Sequence, residues 1–87
     1  MGQPSTEELL ERVRQVLREH CAVQKTALPE SRLAEDLGLD SVGLLTLAVE
    51  LENSYRIRLG ETPDQAPRTV DDVLQLLLQR LREGETV

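Results

Sequence analysis

Apolar residues recur three or four positions apart near both ends of the chain, which is the spacing that gives an α-helix one apolar face. Near the N-terminus they are Leu9, Leu10, Val13, Val16 and Leu17. Near the C-terminus they are Val70, Val73, Leu74, Leu77, Leu78 and Leu81. Ser5 or Thr6 precedes the first run and Thr69 precedes the last, and these residue types cap helix N-termini. The pattern predicts a first helix to about Cys21 and a last helix that ends at Gly84.

The central segment, from about Ser41 to Tyr55, has two apolar stripes where an ordinary surface helix has one. The first stripe consists of Leu44, Leu47, Ala48, Leu51 and Tyr55. The second stripe lies on the opposite side and consists of Val42, Leu45, Thr46, Val49 and Asn53. A small domain does not usually cover both sides of one helix, so we predict that the first stripe faces the core and that part of the second stripe is exposed for a partner. We therefore assign partner binding to the second stripe together with Glu52.

A long connection, residues 22–40, joins the first two predicted helices. It contains a proline and a glycine, and its leucines need somewhere to be buried: Leu28, Leu33, Leu37 and Leu39. A connection of this length is usually functional or disordered, and the regular leucines argue against disorder.

The connection between the second and third helices is shorter. Residues 56–59 alternate like a strand but have no partner strand, so we predict an extended connector. Residues 60–67 contain two prolines and leave room for at most a short helical turn around 62–66. The chain is therefore predicted to be a single all-α domain over residues 1–87, with an ordered core at about 5–83. Its fold should be a small bundle of three main helices plus one short helix.

Composition excludes several classes of function. The 87 residues include 16 acidic and 10 basic side chains, a formal net charge of −6 that repels nucleic acid and anionic membrane surfaces. Acidic residues concentrate between Glu30 and Glu52, where Arg32 is the only base, so basic partners should be steered towards Ser41. No segment has the roughly 20 apolar residues of a membrane span or the pattern of a secretion signal. We expect a monomer in the cytoplasm, and the lone Cys21 excludes an internal disulfide.

Ser41 lacks the partners of a catalytic nucleophile. The chain has one histidine, His20, about twenty positions away, and Leu39 stands where a hydrolase elbow requires glycine. The alternation of Asp36, Gly38 and Asp40 does not make a calcium loop, because the ligand spacing fails beyond Asp40. We therefore predict no catalytic residue and no metal site. What Ser41 has is a helix N-terminus, which favours an attached phosphate; the simplest alternative is that Ser41 only caps that helix.

The run Leu37-Gly38-Leu39-Asp40-Ser41-Val42, followed by Gly43-Leu44-Leu45, resembles the phosphopantetheine attachment motif of acyl and peptidyl carrier proteins. The resemblance implies that a phosphopantetheinyl transferase moves 4′-phosphopantetheine from coenzyme A to Ser41 Oγ, and that Asp40 helps to hold Mg²⁺ during transfer. It also implies that the arm carries acyl or aminoacyl thioesters from a loading enzyme to downstream synthase or transferase enzymes. The carrier itself would catalyse nothing.

The chain departs from the family pattern at three positions. Val42 stands where leucine is most common, and Gly43 and Thr46 occupy positions that are commonly acidic in fatty-acid carriers. These differences favour a stand-alone carrier of a specialised pathway, polyketide-like or nonribosomal-peptide-like. Lys25 is the only lysine among the ten basic residues, a bias typical of GC-rich bacterial genomes. The competing hypothesis is a helical adaptor without cofactor that binds partners through Val42, Leu45 and Val49.

Overall fold

The computed structural model describes residues 4–59 and 67–84. These residues form three α-helices: α1, Thr6–His20; α2, Ser41–Tyr55; and α3, Val70–Gly84. Helix α1 packs against both α2 and α3. Within the described residues there is no β-strand, only an isolated antiparallel bridge between Arg32 and Thr69. The all-α prediction is confirmed, and the short turn predicted at 62–66 lies outside the described residues.

Helix α1 begins and ends where local rules place its boundaries. Ser5, and not Thr6, is the N-cap, since Ser5 Oγ accepts a hydrogen bond from the Glu8 N–H at 3.2 Å. The helix ends at His20, with Cys21 as its C-cap, and Ala22 then takes a left-handed conformation with φ 56°. The apolar face predicted for this helix is buried at Leu9, Val13, Val16 and Leu17.

Helix α3 begins with a reciprocal pair of hydrogen bonds between Thr69 and Asp72. Thr69 Oγ1 accepts from the Asp72 N–H at 3.1 Å, and Asp72 Oδ2 accepts from the N–H groups of Arg68 and Thr69 at 3.0 and 3.1 Å. The hydrogen bond from the Arg68 N–H, followed by those from Thr69, holds the pKa of the Asp72 carboxyl below its ordinary value. The predicted Thr69 cap is confirmed.

An aliphatic core lies between the helices and the long connection. Its buried residues are Leu9, Val13, Val16, Leu17, Val23, Ala27, Leu33, Leu39, Leu47, Leu51, Leu59, Val70, Val73, Leu74 and Leu77. Burying each leucine or valine contributes about 1.5–3 kcal/mol. Among the described residues no polar or charged side chain is fully buried, so the fold is stabilised chiefly by aliphatic packing.

The long connection is fastened to the start of α3 by backbone hydrogen bonds. Leu33 N–H donates to Arg68 O at 2.8 Å, while the N–H groups of Val70 and Asp71 donate to Ser31 O and Pro29 O at 3.0 and 2.8 Å. These bonds order the segment without making it a helix or a strand. The prediction of an ordered connection is therefore confirmed.

The expectation that all four leucines of this connection are buried is wrong for one of them. Leu33 and Leu39 are buried and Leu37 is half-buried, but Leu28 is 45% exposed. Leu28 opens a tight turn in which its N–H donates to Ser31 Oγ and its carbonyl accepts from the Ser31 N–H. That turn lies at the surface, and the preceding residue, Ala27, is buried instead.

The connector after α2 is held by Glu52. Arg56 ends the helix in a left-handed conformation with φ 54°, and the Ile57 N–H donates to Glu52 O at 3.1 Å. Glu52 Oε2 then accepts from the N–H of the buried Leu59 at 2.9 Å. Residues 56–59 form neither helix nor strand, as predicted. None of the helices in the described ranges has the length and apolar character needed to cross a bilayer.

Candidate functional site

Ser41 is the first residue of α2, and its side chain is exposed. Asp40 is the N-cap: its backbone is extended and its Oδ1 accepts a hydrogen bond from the Gly43 N–H at 2.8 Å. The interpretation of Ser41 as a simple N-cap is therefore wrong, because the Asp40 carboxylate, and not the Ser41 hydroxyl, caps α2. Within the described residues the Ser41 hydroxyl has no hydrogen-bond partner, which leaves it accessible for modification.

The first turn of α2 leaves backbone donors open. The N–H groups of Gly43 and Leu44 bind Asp40, but those of Ser41 and Val42 have no acceptor within the described residues. No acidic residue lies in this first turn, and the helix dipole places partial positive charge there. An attached phosphodiester would therefore be stabilised next to Ser41 Oγ, so the residues fit the phosphate end of 4′-phosphopantetheine.

The loop before α2 presents Asp40 and Ser41 to solvent by anchoring the residue before them. Gly38 has a left-handed conformation with φ 72°, which glycine adopts without strain. The chain then enters the core at Leu39, whose side chain is 6% exposed and whose N–H donates to Leu33 O at 2.9 Å. Asp40 and Ser41 follow at once and are both exposed. Asp40 Oδ2 has no partner among the described residues and is of the type that binds Mg²⁺.

The one histidine lies away from Ser41. His20 Nε2 is 3.3 Å from Glu50 Oε1, and Glu50 is about 13 Å further along α2 than Ser41 at the usual rise per residue. The histidine therefore pairs α1 with α2 and does not reach the serine.

Cys21 packs beside the start of α2. Its Sγ is 3.7 Å from Gly43 O, and the side chain is partly buried. Burial, followed by the charge of Glu50, raises the pKa of the thiol. Fewer molecules carry a thiolate at neutral pH as a result, which makes the Cys21 thiol a weaker nucleophile.

The two stripes of α2 differ in exposure in the predicted direction, but three residues of the first stripe are only half-buried: Leu44, Ala48 and Tyr55. Leu47 and Leu51 are 2% and 0% exposed, while Val42, Leu45 and Val49 are 70%, 53% and 41% exposed. Asn53 is exposed as well. Thr46 is half-buried, and its hydroxyl donates to Val42 O at 2.9 Å within the helix. The outward side of α2 is therefore a mainly aliphatic surface next to Ser41.

Two structural roles at this site escaped the sequence analysis. Glu52 was grouped with the partner-binding residues, but its carboxylate accepts the Leu59 N–H and so holds the connector. Gly43 was noted only as a position that is not acidic, whereas its backbone contacts both Asp40 and Cys21. The contact of Glu52 with Leu59 and that of Gly43 with Cys21 link segments whose approach no local pattern specifies.

Comparison with known proteins agrees with this geometry. The sequence model of the family described as "Phosphopantetheine attachment site" matches residues 7–77. Acyl carrier protein 2 of Ralstonia nicotianae is 35% identical over 68 residues, which cover 77% of this chain and 84% of that protein. The acyl carrier protein of Saccharopolyspora erythraea is 35% identical over 72 residues, covering 82% and 76%. The meromycolate extension acyl carrier protein of Mycobacterium leprae is 27% identical over 78 residues, covering 88% and 67%.

The three-helix fold and the match to a phosphopantetheine-attachment family together define a carrier domain. The chain belongs to the acyl carrier protein family. It functions as a carrier through a covalently attached 4′-phosphopantetheine. Proteins of this family work with partner enzymes such as synthases and phosphopantetheinyl transferases.

Proposed function

We propose that Ser41 is the residue that carries 4′-phosphopantetheine, and that Asp40 helps to place Mg²⁺ during its attachment. Ser41 Oγ forms the new bond to phosphorus as the pyrophosphate bond of coenzyme A breaks. Adenosine 3′,5′-bisphosphate leaves, and the hydroxyl proton passes to a base of the transferase. The observation that carries the proposal is the exposed Ser41 hydroxyl beside two open backbone N–H groups at the start of α2.

The groups around Ser41 have different roles in this proposal. Asp40 Oδ1 is bound to the Gly43 N–H, and Asp40 Oδ2 remains for the metal ion. The open N–H groups of Ser41 and Val42 offset the phosphodiester charge. Once bound, the arm supplies a terminal thiol on which the carrier holds acyl or aminoacyl groups as thioesters.

Partner enzymes dock, in this proposal, on the outward side of α2. The surface comprises Val42, Leu45, Thr46 and Val49, with Asn53 and Glu52 at its far end. Exposed aliphatic side chains in a contiguous stripe are typical of protein interaction sites, and their removal from water on docking stabilises the complex. The acidic residues around Ser41 steer basic partners to the same place.

The pathway is proposed to be specialised, polyketide-like or nonribosomal-peptide-like. This rests on the first turn of α2, which has no acidic residue, whereas fatty-acid carriers commonly have one at the position of Gly43. A partner that recognises such carriers through basic side chains finds no charge to bind at Gly43 or Thr46.

A cytoplasmic location and a chain without catalysis of its own remain predictions. Family membership favours the carrier over the cofactor-free adaptor.

Intact mass spectrometry tests the attachment. Purified apo protein is incubated with coenzyme A, Mg²⁺ and a phosphopantetheinyl transferase of broad specificity. Wild type should gain the mass of one arm, and Ser41→Ala should gain none while keeping its helical circular dichroism. Ser54→Ala, an exposed serine at the other end of α2, is the matched control and should be modified as wild type is. An unmodified wild type, with a transferase active on a reference carrier, would contradict the proposal.

A further inference from the structure

Gly43, two positions after Ser41, approaches the preceding loop more closely than a larger residue permits. A Cβ atom at this position would lie 3.0 Å from Leu39 Cδ2, 3.4 Å from Asp40 Oδ1 and 3.5 Å from Leu39 Cβ. The first of these distances is shorter than about nine in ten of the contacts that real Cβ atoms make. A side chain at residue 43 would therefore require Leu39 Cδ2 to move by a few tenths of an ångström and would touch Asp40 Oδ1 at van der Waals distance.

Leu39 has little freedom to move away. Its side chain is 6% exposed, and its N–H is fixed to Leu33 O at 2.9 Å. Closely packed interiors transmit such a displacement to neighbouring groups. The neighbour along the chain is Asp40, the N-cap of α2, so the displacement reaches the residue directly before Ser41.

The backbone of Gly43 also fixes this junction from two sides. Its N–H donates to Asp40 Oδ1 at 2.8 Å, and its carbonyl lies 3.7 Å from Cys21 Sγ at the end of α1. Gly43 therefore joins the Asp40 carboxylate to the body of the bundle. A shift of Leu39 or Asp40 by a few tenths of an ångström would alter the hydrogen bond that orients this carboxylate.

We propose that Gly43 is a positioning residue for the transfer of phosphopantetheine to Ser41. Because Gly43 lacks a side chain, Leu39 can lie against the first turn of α2. The hydrogen bond from the residue 43 N–H to the Asp40 carboxylate is thereby preserved. Gly43 acts through these two neighbours and does not touch the reactants. The inference rests on the proposed attachment at Ser41 and goes beyond it, since it explains why the first turn contains a residue with poor helix propensity.

Transfer kinetics of Gly43→Ala test this role. Apo protein is loaded with coenzyme A and Mg²⁺ by the transferase, and the loaded fraction is followed by intact mass. The kcat should fall about three- to tenfold, since sub-ångström misplacement of reacting groups slows reactions measurably. The KM should change less than about twofold, because the exposed stripe with Val42, Leu45 and Val49 is unaltered. Alanine favours helix more than glycine, so reduced helicity is not the expected cause.

A second substitution provides the matched rescue. Leu39→Val removes the Cδ2 atom that the new Cβ would meet, so Gly43→Ala combined with Leu39→Val should recover the kcat of Leu39→Val alone to within about twofold. Amide hydrogen exchange gives a readout independent of transfer. The N–H of residue 43 should exchange faster in Gly43→Ala and slow again in the double variant, because the bond to Asp40 Oδ1 is restored.

Two results would overturn the inference alone. One is a kcat for Gly43→Ala equal to that of wild type. The other is a defect, in rate or in folding, that Leu39→Val does not reverse. A wild-type protein that takes no arm at Ser41 would instead overturn the proposed attachment together with this inference, so the two failures are distinguishable.

Discussion

Helices α2 and α3 have the same length, 15 residues each, but they use their surfaces differently. In α3 the N–H groups of the first four residues all bind acceptors in the chain, namely Ser31 O, Pro29 O, Thr69 Oγ1 and Thr69 O. In α2 the first two N–H groups are open within the described residues, and three aliphatic side chains are exposed. The start of α3 is therefore fully hydrogen-bonded to the rest of the chain. Helix α2 combines a buried face with the candidate site at its N-terminus.

Helix α1 shows that open backbone donors are not sufficient for such a site. Its first two N–H groups, like those of α2, have no acceptor among the described residues. Glu7 and Glu8 lie in its first turn, however, and their charges oppose an attached phosphate. The distinguishing features of α2 are an exposed serine as the first helical residue and a first turn without carboxylates.

The largest expected difference in stability is between substitutions at buried positions of α2 and α3 and a substitution on the exposed side of α2. Leu77→Ala in α3 should destabilise the fold by about 2–5 kcal/mol, since Leu77 is fully buried. Leu45→Glu on the exposed side of α2 should change the unfolding midpoint little but slow arm transfer. Leu51→Ala, on the buried side of α2, should behave as Leu77→Ala does. Urea unfolding and transfer rates check all three. If Leu45→Glu unfolded the protein as readily as Leu51→Ala, the docking surface would have to lie elsewhere.

Removing the two N-caps should have similar effects on stability and different effects on function. Asp40→Ala and Thr69→Ala should each cost about 1 kcal/mol. Only Asp40→Ala should slow arm transfer, because Thr69 caps α3 and does not adjoin Ser41. Asp40→Asn serves as the control, since the amide oxygen still caps the helix but binds Mg²⁺ less well than a carboxylate. Equal transfer by Asp40→Asn and wild type would show that Asp40 acts as a cap alone.

Acid should weaken the start of α3 through Asp72. Its folded-state pKa is lowered, so its contribution to stability is complete above the usual aspartate pKa of about 3.9 and disappears as pH falls through the folded-state pKa. Asp72→Asn should therefore be less stable than wild type at pH 7 by about 0.3–1 kcal/mol, and the difference should narrow towards pH 3. Thermal unfolding across this range measures the difference. A gap that widened on acidification would contradict the assignment.

Local rules in the sequence predicted the helices well and the joints between them less well. Ser5 and Thr69 were recognisable as caps because capping depends on residues three positions apart. Leu47 and Leu45 were separable because the helical period puts them on opposite faces. The hydrogen bonds from Val70 and Asp71 to the long connection, and the exposure of Leu28, depend on contacts between distant segments. No local pattern records those contacts.

The site was predictable in identity but not in detail. The motif around Ser41 pointed to the proposed attachment residue through its resemblance to carrier proteins. It did not show that Asp40 caps the helix, since Asp and Ser are equally good N-caps. It also did not show that Glu52 holds Leu59 or that Gly43 admits Leu39. These roles arise where two segments meet, and only the folded chain brings them together.

If the arm attaches at the open start of α2, the loaded protein carries the added group on Ser41. Fragment mass spectrometry of the loaded wild-type protein tests this most directly, because it assigns the added group to a residue. We expect a single phosphopantetheine on Ser41. Ser5 and Thr69, which cap the other two helices, and Ser31 in the long connection should carry none. An arm located on any of these three residues, with Ser41 unmodified, would contradict the proposed attachment.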